Sequence, residues 1–302
     1  MDNTILEIEK IIGIENILLD EPLKNHTSFK IGGPARAVVL PKNVEEIQKI
    51  IKLLETNNTK HYILGNGTNV LFPDDGYDGI VIKISKQFSD VEFQGNSICA
   101  QAGALLSNVS KLAAKATLTG LEFASGIPGS IGGAVVMNAG AYGGEMKDVV
   151  IEVTAVDQNG NLMVFKSDEL DFGYRRSVIK DRGFIVLNAK IQLKEGNSHD
   201  IYALMDELNK KRTAKQPLNL PSAGSAFKRP AGNYAGKLIQ DAGLKGLVYG
   251  GAKVSELHSG FIVNVDEATY EDVVTLIEIV RKTVKEKFSV DLEPEVKIIE
   301  RD

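Results

Sequence analysis

The amino-acid sequence predicts a mixed α and β protein of two or three domains. Three observations lead there. Segments with apolar residues at helical spacing alternate with short apolar strands along the chain. The 302 residues, at roughly 100–200 per domain, suffice for two or three separate cores. Glycine, with 29 residues against a usual ~7%, is clustered: eight lie between Gly120 and Gly144 and seven between Gly224 and Gly251. Such clusters mark either tight turns or backbone that something approaches closely.

The elements follow in chain order. Ala37–Leu40 reads as a strand stopped by Pro41. Asn43 then caps a helix, with Glu46 as its capping-box partner and Val44, Ile47, Ile50, Ile51 and Leu54 at helical spacing. Strands are expected at 61–64, 80–84 and 97–101. Leu105, Val109, Leu112 and Ala116 mark a helix closed by Gly120. Asn159-Gly160 between 149–156 and 162–165 is a hairpin signal, and a strand at 184–193 follows. A helix over about 199–214 places Ile201, Leu204, Met205 and Leu208 on one face. A short helix at 233–242, a strand at 260–265 and a long helix capped by Thr269 come next, with Val273, Ile277, Val280 and Val284 inward. Residues 292–299 read as a final strand. A domain boundary is expected near Glu195-Gly196-Asn197-Ser198.

Composition excludes several classes. Hydrophobic residues make 43% and charged residues 25%, and mean hydropathy is -0.07, as in a folded soluble protein. The net charge of -5 repels nucleic acid and anionic lipid, so an anionic ligand must be caught by local features. No apolar run approaches the ~20 residues of a membrane span. Met1–Lys10 carries Asp2, Glu7 and Glu9 and does not read as a secretory leader. Cys99 is the single cysteine, which excludes an intrachain disulfide. With the scattered His26, His61, His199 and His258 it makes no zinc-ligand spacing. The expectation is a reducing, cytoplasmic compartment, no metal, and no nucleic-acid, membrane or obligate protein partner.

Two glycine loops draw attention. Gly65-Asn66-Gly67-Thr68-Asn69 follows a strand but lacks the third glycine and the helix of a dinucleotide fingerprint. Its ordinary reading is a solvated turn, yet Asn66, Thr68 and Asn69 offer hydrogen bonds beside flexible backbone. Gly126-Ile127-Pro128-Gly129-Ser130-Ile131-Gly132-Gly133 is too apolar for a plain surface loop. It is either an anion-binding nest of successive N–H groups or a buried crossing of backbone. Two such loops together favour a pyrophosphate-bearing ligand. The polar candidates are individually ordinary. Arg175-Arg176 after Tyr174 reads as a surface pair, Ser225 as a turn serine, Glu295 as part of a solvated strand face, and Cys99 as inert core. By themselves these readings lead to a soluble α/β protein that binds a phosphate-rich cofactor.

Taken together, certain segments carry a resemblance. They are Asn25-His26-Thr27-Ser28-Phe29 with Gly32-Gly33-Pro34-Ala35, Leu64–Asn69, Gly126–Gly133, and Asn138-Ala139-Gly140-Ala141-Tyr142-Gly143. Tyr174-Arg175-Arg176-Ser177, Gly224-Ser225-Ala226-Phe227-Lys228, His258–Asn264 and Leu292-Glu293-Pro294-Glu295-Val296 complete the set. In this order and spacing the chain resembles the UDP-N-acetylenolpyruvoylglucosamine reductase family, in its shorter class without an inserted substrate-covering loop. The resemblance implies an α+β fold. FAD is held without a covalent link by two subdomains of the vanillyl-alcohol-oxidase (PCMH) type, and a C-terminal α/β domain binds substrate. The implied division is an N-terminal helical segment over 1–24, an FAD-binding domain over 25–195 (subdomains about 25–84 and 85–195) and a substrate domain over 197–302.

The implied activity is NADPH-dependent reduction of the enolpyruvyl group of a UDP-sugar, giving UDP-N-acetylmuramate for peptidoglycan. Both glycine loops, 65–69 and 126–133, become flavin contacts. Hydride added to C3 of the vinyl ether leaves enolate-like charge at C2 and its carboxylate. Arg175 matches the family's cation for that charge, Ser225 its proton donor to C2, and Glu295 its third catalytic residue. Tyr174 falls among the substrate contacts, and Lys215 and Lys228 could face the diphosphate as point charges. The chain departs from other members at Arg229, where some carry Asn, and at Ala226, where others carry a bulkier residue. The competing expectations are another FAD oxidase or dehydrogenase of the same fold, and a nucleotide-binding module without catalysis.

Overall fold

The structure, a computed structural model, describes residues 3–301. The chain forms two compact units, and chain order does not respect them. The first comprises the described residues up to Leu19, Ala37–Asn66 and Gly79–Lys211. The second comprises Asp20–Arg36, Gly67–Asp78 and the residues from Arg212 onward. The changeover after Lys211 falls within a helix, and two early segments share a core with the last ninety residues.

The first unit carries helices α1 (Asn3–Ile12), α2 (Val44–Thr56), α3 (Leu106–Lys115), α4 (Ile131–Val136), α5 (Val178–Asp181) and most of α6 (Ser198–Lys215). α2 begins where the sequence places it, because Asn43 accepts the Glu46 N–H at 2.9 Å. The Glu46 carboxylate reaches one residue further back, to the Lys42 N–H at 2.7 Å. Ile47, Ile50, Ile51 and Leu54 are fully buried. His61–Leu64 pairs in parallel with Tyr77–Lys83. An antiparallel sheet of five strands runs in the order Leu162–Lys166, Val150–Val156, Ile185–Gln192, Ser97–Gln101, Val91–Gln94. The predicted hairpin joins its first two strands. There the Asp157 carboxylate accepts the Asn159 N–H at 2.9 Å and the Asn161 N–H at 2.7 Å, an Asx-type turn. α4 packs on Ile185–Gln192, which puts the second glycine loop over the sheet.

Several expectations need correction. α3 ends at Lys115, and Thr117 rather than Gly120 takes the left-handed backbone after it, with φ 56°. Leu112 and Leu204 point outward at 40% and 41% exposure: each sits at the rim of an apolar stripe narrower than the spacing suggests. Cys99 is half-buried rather than core, because Ile98 and Ala100 take the inward positions of its strand. Burial pushes its thiol pKa up, and the nearby Glu92 adds to this.

The second unit carries α7 (Ala235–Asp241), α8 (Tyr270–Phe288) and an antiparallel sheet in the order Ser222–Ser225, Phe261–Asn264, Ala252–Val254, Val248–Tyr249. Thr269 closes a capping box at the start of α8. Its hydroxyl accepts the Asp272 N–H at 3.1 Å, and Asp272 accepts the Thr269 N–H at 2.9 Å. Val273, Ile277, Val280 and Val284 are buried, as their spacing predicts. The expected final strand over 292–299 is mostly absent as a ladder. Only Lys297–Ile298 pairs, in parallel with Val70–Leu71, while Pro294 forms a lone bridge with Phe227. Glu293 and Glu295 both bond the 226–228 segment, with Pro294 at the position between them that needs no N–H, and the chain changes partner only after Glu295, to Asn69–Leu71.

Candidate active site

In the first unit, the loop 126–133 leads into α4. The Ile131 N–H bonds the Ala104 carbonyl at 2.8 Å and the Gly132 N–H the Ala102 carbonyl at 2.9 Å. Two members of the expected nest are therefore already bonded to protein. A Cβ on Gly132 would lie 3.0 Å from the Ala102 Cβ and 3.3 Å from its oxygen, so this glycine answers to a backbone crossing. Gly133 differs. A Cβ there would meet only the Ser130 hydroxyl, at 3.7 Å. Ser130, the N-cap of α4, receives the Gly133 N–H at 3.5 Å, the outer limit of a hydrogen bond. From the other loop, the Asn66 amide donates to the Pro128 carbonyl at 2.6 Å, and a Cβ on Gly65 would stand 2.5 Å from the Ser130 hydroxyl. Gly65 and Asn66 thus interlock with residues 128–130.

The Tyr174-Arg175 pair forms the tip of a two-residue turn in the same unit. Gly173 and Arg176 exchange backbone hydrogen bonds of 3.1 and 3.2 Å. Arg175 holds φ 56°, which costs a non-glycine residue about 1–2 kcal/mol. The guanidinium of Arg176 lies between Asp171 (2.6 Å) and Asp181 (2.9 Å); that of Arg175 is 5.2 Å from the centre of the Tyr174 ring. The Ser177 hydroxyl donates to the Val136 carbonyl at 2.8 Å, tying the turn to the end of α4.

In the second unit, Ser225 follows a bulge. Ser222 pairs with Val263 but Ser225 with Phe261, so the strand holds one residue more than its partner. Gly224 absorbs the extra residue at φ 78°, and a Cβ on it would touch nothing. It is the backbone angle that calls for glycine here. The segment from Ser225 to Lys228 then runs between two neighbours. The Ala226 N–H donates to Gly260 at 2.8 Å. On the other side Glu295 N–H donates to Ala226 and Lys228 N–H to Glu293, each at 2.8 Å. Ser225 and Glu295 are thereby brought onto adjacent antiparallel segments. Gly67, Thr68 and Asn69 belong to this unit too. The Asn69 amide donates to the Glu295 carbonyl at 3.1 Å, and a Cβ on Gly67 would stand 2.0 Å from the His26 carbonyl oxygen. Lys228 forms an ion pair with Glu293. Lys215, in the last turn of α6, is exposed, and the Arg229 guanidinium stacks 4.0 Å from the Tyr234 ring centre.

Comparison with known proteins decides what these residues belong to. The family model for the C-terminal domain of UDP-N-acetylenolpyruvoylglucosamine reductase matches residues 216–299, and an FAD binding domain model matches 35–166. The UDP-N-acetylenolpyruvoylglucosamine reductase of Alkaliphilus oremlandii is 53% identical over 292 residues, covering 97% of this chain and 96% of that one. That of Clostridioides difficile is 47% identical, covering 98% of both. The chain belongs to the UDP-N-acetylenolpyruvoylglucosamine reductase family. The crystal structure of the Thermus caldophilus member superposes with a TM-score of 0.81 at 36% identity, covering 94% of this chain and 98% of that one. A variant of Phl p 4, a glucose oxidase, shares the fold alone, with a TM-score of 0.51 at 18% identity over 75% of this chain and 52% of that one.

The chain is accordingly an FAD-dependent oxidoreductase with the α+β flavoprotein fold that the resemblance implies. At the exposed Gly133 a Cβ would enter open space, 3.7 Å from the Ser130 hydroxyl, so the first turn of α4 leaves room for a cofactor to approach its backbone. Among the described residues no helix is long and apolar enough to cross a membrane. Sequence reasoning gave no role to Ser28, whose hydroxyl donates to the Ser222 carbonyl at 2.6 Å and whose N–H donates to Gly67 at 3.0 Å. Nor did it give one to the buried Asn138. Both lie inside motifs that carry the family resemblance, which was the available signal.

Proposed function

We propose that this chain reduces UDP-N-acetylenolpyruvoylglucosamine to UDP-N-acetylmuramate with NADPH, in the cytoplasm, using Arg175, Ser225 and Glu295 on the substrate. The observation that carries the reading is the bulge at Gly224, which delivers Ser225 next to the segment of Glu295. FAD held by the loops 65–69 and 126–133 would supply the hydride chemistry, passing the two electrons of NADPH to the vinyl ether. The chain's own residues handle charge and protons. Arg175 offsets the negative charge that grows at C2 and its carboxylate. The Ser225 hydroxyl gives its proton to C2, and Glu295 serves the proton supply to that hydroxyl. Small neighbours, Gly224 and Ala226, leave the serine accessible. Tyr174 contacts the substrate, and Lys215 and Lys228 take the diphosphate. For Lys228 this means exchanging its Glu293 partner for phosphate oxygens. The loops 65–69 and 126–133 serve the flavin; the cofactor domain of residues 25–195 then gives up 25–36 and 67–78 to the unit of the C-terminal residues, and the substrate domain of 197–302 begins in earnest at Arg212.

The test is an absorption spectrum followed through a cycle. The flavin band should bleach with NADPH under anaerobic conditions and return when the enolpyruvyl substrate is added. A band that returns only with oxygen would instead make the chain an oxidase of the same fold.

A further inference from the structure

We propose that Asn138 is a positioning residue for Arg175, holding the Gly173–Arg176 turn against the Glu145 hairpin. The inference rests on the role given above to Arg175. Asn138 is 1% exposed, and its carboxamide serves three partners. Its Nδ2 donates to the Glu145 carboxylate at 2.8 Å and to the Gly173 carbonyl at 3.1 Å, and its Oδ1 accepts the Lys147 N–H at 2.9 Å. One side chain thus clamps two tight turns. The first is the two-residue tip at Tyr174-Arg175. The second is the hairpin in which Gly140–Ala141 pairs with Gly144–Glu145, with Tyr142-Gly143 at its tip.

Backbone strain marks this place. Asn138 (φ 42°), Tyr142 (φ 53°), Asp171 (φ 42°) and Arg175 (φ 56°) all hold left-handed conformations. Asn and Asp tolerate that region, whereas Tyr and Arg do not adopt it without support. Such residues persist where the surroundings over-determine them. For Arg175 several such contacts surround the turn. They include the Asn138 bond to Gly173, the Lys180 ammonium on the Arg175 carbonyl at 3.1 Å, the Arg176 clamp by Asp171 and Asp181, the Ser177 bond to Val136 and the Tyr174 ring beside the Arg175 guanidinium. Of these, the Asn138 bond comes from a buried side chain outside the turn's own segment. Asn138 also follows α4 by two residues, so the arginine turn is indexed to the helix that opens from the flavin loop. Glu145 completes the arrangement. The Lys147 ammonium at 2.9 Å, the Asn138 amide and the Arg175 charge hold its carboxyl below the usual range. A permanent anion therefore faces the same clamp.

Asn138→Asp removes the donor, and it is made together with Glu145→Gln so that two carboxylates do not meet at 2.8 Å and the local charge is unchanged. It keeps the acceptor for Lys147 and a side chain that tolerates φ 42°, and it removes both donated bonds. Stopped-flow spectroscopy on the flavin-loaded protein reads the two half-reactions. Reduction by NADPH should be unchanged, since no charge develops at C2 in that half. Reoxidation by the enolpyruvyl substrate should slow about 10- to 100-fold, the scale of a misplaced catalytic group, with the substrate dissociation constant nearly constant. In an Arg175→Ala background the same change should slow reoxidation no further, because the group being positioned is gone. Unchanged reoxidation in this double variant, equal loss in both halves, or full additional slowing on top of Arg175→Ala each overturns the proposal. Asn138→Gly, which accepts the backbone angle freely, repeats the test if the aspartate variant does not fold; if neither folds, the amide is structural and the proposal fails. Arg175→Ala with wild-type reoxidation would instead overturn the arginine assignment itself, and this inference with it.

Discussion

At Ser225 the proposed chemistry asks an alcohol, a poor acid in water, to protonate carbon. It works only with the hydroxyl already in place and the developing carbanion strongly basic. The Gly224 bulge bears on the first requirement, because it sets Ser225 beside the Glu295 segment. Ser225→Ala should therefore leave reduction by NADPH intact and slow reoxidation by the substrate about 10²–10⁴-fold, with little change in substrate affinity. Stopped-flow traces showing both halves slowed alike would remove the serine from the chemistry. Gly133 offers a second test at this scale. Gly133→Val fills the space above the first turn of α4 and should abolish flavin binding in a folded protein. Gly132→Ala instead presses on Ala102 and should lower stability first. Flavin content and circular dichroism of the two variants separate the effects; normal flavin in Gly133→Val would leave that space without a cofactor role.

Individual elements are set by short-range chemistry that can be removed one bond at a time. The capping box of α8 is one case. Thr269→Ala deletes the hydroxyl acceptor for the Asp272 N–H and should cost about 1 kcal/mol in a urea titration. The turn before Phe261–Asn264 is another. His258 Nδ1 accepts the Gly260 N–H at 3.0 Å, so the ring must be neutral with its proton on Nε2. Burial pushes its pKa below 6.5. The sign follows. Above pH 6.5 the ring is neutral both folded and unfolded and contributes no pH dependence. As pH falls below 6.5 the unfolded chain takes up the proton first, so stability declines until the folded-state pKa is passed. Melting temperature measured from pH 7.5 to 5 should fall more steeply in the wild type than in His258→Gln. Parallel curves would mean that other groups set the acid limb.

For the whole molecule the property to test is whether the FAD is held without a covalent bond. Cys99 is a half-buried strand residue with a raised thiol pKa, and His258 is engaged with its own turn, so neither suits a covalent link to the flavin. The purified protein should be yellow, and acid precipitation should release free FAD into the supernatant. Flavin remaining with the pellet would show a covalent bond and contradict this.

The sequence by itself determined most elements, because caps, turns and apolar spacing act over a few residues. Asn43, Thr269, Asn159-Gly160 and the buried stripe of α8 stand where local chemistry puts them. Its motifs also sufficed to name the family, since their order along the chain is what relatives share. Only the tertiary structure decided matters of partnership between distant segments. It joined 20–36 and 67–78 to the C-terminal unit, split the expected strand at 292–299 between two partners after Glu295, and turned Cys99 and Leu204 away from the core. It also separated Gly132, which a backbone crossing requires, from Gly133, which stands over open space. No local pattern distinguishes two adjacent glycines. What differs is the atom that arrives from residue 102, thirty positions away along the chain, and that approach is set by packing of the sheet rather than by either glycine's own neighbours.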